Sequence, residues 1–116
     1  MANIGLADHG DAGRQAVTGQ EEDRGVFKIP NLRNVMLTAP YMHDGRFQSL
    51  EEVLDHYAHG VNDNPNLDPR LRGPNGAVNR FDISPYDRDR LIDFLGTLTD
   101  PVFPTDPRFS DPFVTP

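Results

Sequence analysis

The sequence predicts an all-α domain with few short helices, about residues 49–59 and 85–98, set between long ordered loops. Three observations lead there. Eleven prolines and ten glycines in 116 residues leave only a few windows for long regular elements. Two of those windows carry a helix-start signal followed by apolar residues at helical spacing. The stretches around them are dense in Asn, Asp, Pro and Gly, which are turn residues.

Residues 1–26, "MANIGLADHGDAGRQAVTGQEEDRGV", are glycine-rich and acidic, with neither helical nor strand periodicity. They read as a loop or arm that cannot fold alone. The folded part is expected over 27–99. In "FKIPNLRNVMLTAPY", Pro30 can open a short helical turn, and Pro40 closes the apolar segment Leu32, Val35, Met36 and Leu37. The first clear helix begins at "SLEE", a capping box in which Ser49 and Glu52 satisfy each other's backbone amides. Gly60 is placed to stop it. Within it Leu50, Val53, Leu54 and Tyr57 form one buried stripe, so Tyr57 points inward. His56 and His59 are offset from that stripe, at its edge or on the solvent face.

Residues 61–83 read as a long ordered loop with turns at "NP", "DP" and "GPNG"; a loop of that length in a small domain usually wraps a ligand or a partner. The second helix opens at "SPYD", with Ser84 as cap, Pro85 in the first position and Asp87 at the positive end of the dipole. Leu91, Ile92, Phe94, Leu95 and Leu98 give it an apolar face. Residues 100–116 form a proline-rich, extended tail.

Composition excludes several functions. A net charge of −7 argues against nucleic acid, whose phosphates call for clustered Lys and Arg. The absence of cysteine removes disulfides, thiolate metal sites and a thiol nucleophile. No apolar run is long enough for a membrane span or the hydrophobic part of a signal peptide. "HDG" at 43–45 reads as a turn in which Asp44 bonds backbone amides, and no serine sits in a nucleophile context. His56 and His59 would supply only part of a metal's first shell, and the nearby Glu51, Glu52 and Asp55 lie on the wet face. Tyr57 is a polar group on an apolar stripe. Its hydroxyl can meet a carbonyl or carboxylate, or it can coordinate iron as a phenolate.

The blocks "NIGL", "DRGVFKIPNLRN", "TAPYMHDGRF", "LEEVLDHY", "NLDPRL" and "LIDFLGTLT" together cover most of residues 3–99. In that order they resemble the C-terminal haem domain of the bacterial di-haem cytochrome c peroxidase family, including its MauG-like members. The resemblance implies a cytochrome c-like domain carrying haem c. It implies Tyr57 as the axial ligand at the end of the "LEE" helix, where the classical peroxidases have methionine. Met42, the rival donor, is read as packing, because its position looks interchangeable with phenylalanine in the family. Arg33 is implied as a partner for a haem propionate, and His43 as a brace of the pocket. The family's inter-domain calcium ion maps to the backbone carbonyls of Thr38 and Pro40.

One departure bounds these expectations. The family attaches this haem through C-x-x-C-H, and the chain has no cysteine. Its "ANIGL" resembles the segment just after that motif, so the chain is expected to begin downstream of it. The expected partners are then the remainder of the di-haem protein and a small electron-transfer protein or protein substrate, in the periplasm. The competing expectation is a haem-free binding or interaction module that keeps the scaffold, which would have to fold on a thin core.

Overall fold

A computed structural model describes residues 1–7, 9–111 and 113. Among the described residues three α-helices appear in order: α1 (Gln15–Thr18), α2 (Leu50–Asp55) and α3 (Pro85–Gly96). Single 3-10 turns fill much of the space between and after them, at Glu21–Asp23, Val35–Leu37, Pro69–Leu71, Phe103–Thr105 and Pro107–Phe109. Among the described residues there is no strand, only isolated bridges such as Ala2 to Phe27 and Tyr41 to Phe47. The all-α expectation agrees with this architecture.

The start signal of α3 acts as read, and that of α2 acts in part. Ser49 Oγ accepts from the Glu52 amide at 3.3 Å, but Glu52 turns its carboxylate to the Gln48 amide at 2.6 Å, one residue before the cap. At α3 the box closes on itself: the Asp87 amide donates to Ser84 Oγ, the Ser84 amide donates to Asp87 Oδ2, and Pro85 takes the first turn.

The end of the first helix differs from the expectation. After Asp55 the chain widens into a π-helical turn, His56–Gly60, and the His56 amide is shared between the Glu52 and Val53 carbonyls. Gly60 closes this turn without a left-handed backbone; its role there is space, since an added Cβ would lie 3.1 Å from His56 Nδ1. His56 is only 6% exposed, so it is not at the wet edge. The cause is tertiary: residues 3–6 of the arm lie across that flank, and His56 Nε2 meets the Ile4 carbonyl at 2.8 Å.

The core sits in loops. Val61, Leu67 and Leu71, all in the 61–83 loop, form the buried cluster, and Ile4, Tyr57 and Val78 pack on it. Asn3 ties the arm to this loop: its amide donates to the Arg24 carbonyl, and its Oδ1 accepts from the Gly5 amide and Asn64 Nδ2. α3 buries none of its residues; Phe94 is 58% exposed. An ion pair from Arg88 to Asp55 links α3 to α2. Asp100 and the Leu98 carbonyl fasten the end of the α3 segment to Asn34.

Candidate functional site

Tyr57 projects from the π-helical turn into a recess of about 580 Å³ walled by Leu54, Phe81, Ile83 and Leu91, with Asp82, Asp87 and Arg90 also lining it. The volume is in the range of small-molecule and cofactor sites. Three elements build this recess: α2 supplies Leu54, α3 supplies Asp87, Arg90 and Leu91, and the end of the long loop supplies residues 81–83. The loop segment 73–83 has no functional reading in the sequence. In the structure it is held by the Asn79 amide on the Leu71 carbonyl, Arg80 on the Val61 carbonyl, and the Phe81 amide on the Tyr57 carbonyl. It delivers Phe81 to the tyrosine.

The Tyr57 hydroxyl makes no hydrogen bond to the described residues; its ring contact is edge-on to His56, with centroids 5.3 Å apart. Burial alone pushes its phenol pKa upward. A half-buried tyrosine normally finds a partner for its oxygen. Tyr57 Oη is not among the fully buried polar atoms, so it is one oxygen at the recess that is open to a ligand.

The other implied residues do not converge on Tyr57. His43 lines a second recess, of about 520 Å³, between the arm and residues 62–66. There its ring stacks on Phe27 at 3.7 Å, and its Nε2 lies 4.0 Å from Asp11. Arg33 is engaged by the Asp100 carboxylate and lies over the Phe103 ring at 5.1 Å. Met42 occupies a tight turn with φ of 72° and lines neither recess. Asp44 in that turn binds the Arg46 guanidinium and amide. The Thr38 hydroxyl donates to the Val35 carbonyl. The Thr38 and Pro40 carbonyls accept no hydrogen bond from described residues, so both are available to a cation.

The donor set fits haem and calcium to different degrees. For haem, a phenol without a partner among the described residues, beside Leu54, Phe81, Ile83 and Leu91, could supply one ligand to the iron. For calcium, two neutral carbonyls are a minority of the six to eight oxygens the ion takes. Among the described residues no three His, Asp or Glu side chains are grouped to hold a metal.

His56 is the residue that helical phase misassigns. Its ring also lies 5.9 Å from Phe47, tilted, and burial pushes its pKa downward. Its carbonyl partner is 52 residues away in sequence, so local spacing carries no signal for it.

No protein-family model matches the chain. The methylamine utilization protein MauG of Methylorubrum extorquens is 39% identical over 101 residues, covering 83% of this chain and 26% of that protein. The cytochrome-c peroxidase IdrP2 of Pseudomonas sp. is 34% identical over 103 residues, 88% of this chain and 25% of that protein. The cytochrome c551 peroxidase of Nitrosomonas europaea is 57% identical over 44 residues, 38% of this chain and 13% of that protein. A solved structure of a MauG-like protein associated with microbial copper homeostasis superposes with a TM-score of 0.73 at 36% identity, covering 96% of this chain and 35% of that one. The chain thus spans 13% to 26% of the length of these curated relatives. Over that shared span, with its all-α, cytochrome c-like fold, the chain belongs to the family of MauG and the di-haem cytochrome c peroxidases.

Proposed function

We propose that the chain forms the distal wall of the C-terminal electron-transfer haem in a c-type di-haem oxidoreductase of the MauG or cytochrome c peroxidase kind, with Tyr57 as the axial ligand. The observation that carries this reading is the Tyr57 hydroxyl, without a hydrogen-bond partner among the described residues, at a recess whose walls include Leu54, Phe81, Ile83 and Leu91. When bound, haem supplies a one-electron couple, and a phenolate ligand favours its ferric and higher-valent states. Burial pushes the phenol pKa upward, so binding as a phenolate would require a cation to displace the proton at the oxygen. Leu54, Phe81, Ile83 and Leu91 would give the bound group an apolar surface beside that oxygen. Arg33 already grips a carboxylate, and a haem propionate would present the same planar partner in place of Asp100. His43 braces the neighbouring arm through Phe27 rather than through the tyrosine recess.

An anionic oxygen ligand tilts the reading from simple peroxide reduction toward MauG-like chemistry, in which oxidising equivalents pass to a protein or other large substrate. The remainder of the di-haem protein supplies the attachment motif, and a small electron-transfer protein or protein substrate docks on the whole. A periplasmic location and a calcium ion on the Thr38 and Pro40 carbonyls complete the proposal.

The test is Tyr57→Phe in the haem-loaded protein that carries this chain. The Soret and charge-transfer bands should shift as the oxygen ligand is lost. A spectrum identical to the parent's would remove Tyr57 as ligand.

A further inference from the structure

We infer that His56 is the positioning residue for Tyr57: a buried imidazole, donating from Nε2 to the Ile4 carbonyl, that fixes the tyrosine ring in its recess through the π-helical turn. The inference rests on Tyr57 being the axial ligand and goes on to say what aims it. Four observations meet at this ring. His56 is 6% exposed, and its Nε2 is 2.8 Å from the Ile4 carbonyl. Its ring edge meets Tyr57 at 5.3 Å in a near-perpendicular arrangement of 70°. The helix changes from α to π geometry at His56, and single π turns of this kind are frequent at functional sites. Gly60, the last residue of the turn, leaves just enough room for the imidazole.

The physical argument concerns freedom of the ring. The Tyr57 hydroxyl has no hydrogen bond to the described residues, so the ring's direction depends on its backbone and on what touches its faces and edges. The Phe81 amide anchors the Tyr57 carbonyl at 3.2 Å, which fixes the backbone. His56 holds the ring side, and it is itself fixed by a carbonyl of the arm and by Phe47. A ligand whose partner is held in this way loses little on coordination, since the ordering is already done. The arm, which reads in sequence as a loose connection, then becomes part of the ligand's support.

Three substitutions in the haem-loaded protein test this. His56→Leu fills the space without a donor, His56→Gln keeps a donor long enough to reach the Ile4 carbonyl, and His56→Asn keeps a donor too short to reach it. The readouts are the ferric charge-transfer band and the affinity for cyanide, which competes with the tyrosine for iron. His56→Leu and His56→Asn should weaken the band and bind cyanide about tenfold more tightly, the usual size of a supporting-residue effect. His56→Gln should stay near the parent on both. Parent-like behaviour of His56→Leu or His56→Asn overturns the inference, as does a glutamine variant that behaves like them or fails to load haem. If His56→Leu fails to load, the Gln and Asn pair decides. Tyr57→Phe, run in parallel, separates the two levels: parent-like bands there defeat the ligand reading itself, whereas changed bands there with unchanged His56 variants defeat the positioning role alone.

Discussion

At the scale of single residues, one local device recurs through the loops. Asp68 Oδ1 accepts from the Arg70 amide at 2.9 Å, Asp106 Oδ1 from the Arg108 amide at 2.9 Å, and Asn64 Oδ1 from the Asn66 amide at 3.0 Å, each across an intervening proline. The side-chain oxygen of the residue before proline thereby satisfies the amide of the residue after it, and the turn needs no neighbour. Such turns are legible in sequence because all their parts lie within three residues. Gly5 is the opposite case. Its φ is 68°, and an added Cβ would lie 2.6 Å from the Asn62 carbonyl oxygen, whose own amide donates to the Gly5 carbonyl at 2.9 Å. Gly5→Ala should therefore cost about 2 kcal/mol, from backbone strain and a steric clash together, read as a lower urea midpoint at unchanged slope. "NIGL" shows that a glycine is present, but its requirement comes from a segment nearly sixty positions on. His56 was illegible for the same reason: its partner Ile4 belongs to a stretch without periodicity.

At the scale of elements, the starts of helices were legible and their ends were not. Capping is chemistry between residues three apart, and both Ser49 and Ser84 perform it. Ser84→Ala should remove one side of the α3 box and cost about 1 kcal/mol in thermal or urea unfolding. Ser84→Gly should cost only a few tenths, because the cap position then keeps its backbone geometry and access to water. Equal losses for the two would show that the hydroxyl does not act as a cap. The far end of α2 follows another rule: the switch to a π turn adds a residue to the ring of backbone bonds, which the arm and Gly60 make room for. Periodicity placed Tyr57 inward because only His56 of the widened turn precedes it, which shifts its phase relative to Leu50 little. It misplaced His56 because solvent exposure of a flank depends on what crosses it. The loop 73–83 carries no periodic pattern at all, yet it brings Phe81, Asp82 and Ile83 to the tyrosine.

At the scale of the whole molecule, the chain is a slab of 57 × 42 × 20 Å with a radius of gyration of 17.0 Å. A compact domain of this length would be expected near 13 Å by the usual size scaling. The excess follows from where the apolar residues lie: Val61, Leu67 and Leu71 close one small core, while Leu91 and Phe94 of α3 stay open to solvent. A thin core gives weight to the few polar ties that join its parts, and Asp68 is the most connected of them. Its amide donates to the Asn3 carbonyl and its carbonyl accepts from the Leu71 amide, so it links the arm to the core between Leu67 and Leu71. Hydrogen bonds from Arg70 hold its carboxyl down to about 2, from an ordinary value of 3.8. A carboxyl whose folded value is depressed adds stability that is complete above its unfolded value and is lost as pH falls toward the folded one. The Asp68 side chain is 11% exposed, but its partner Arg70 is 71% exposed, so solvent screening limits the contribution to about 1 kcal/mol. Asp68→Asn keeps the turn oxygen and loses the charge. Its deficit against the parent should be constant from pH 7 to about 5, shrink from pH 4 to about 2, and vanish below that, as followed by urea unfolding at each pH. A deficit that stays the same at pH 2 would assign the loss to the turn geometry instead of the ion pair.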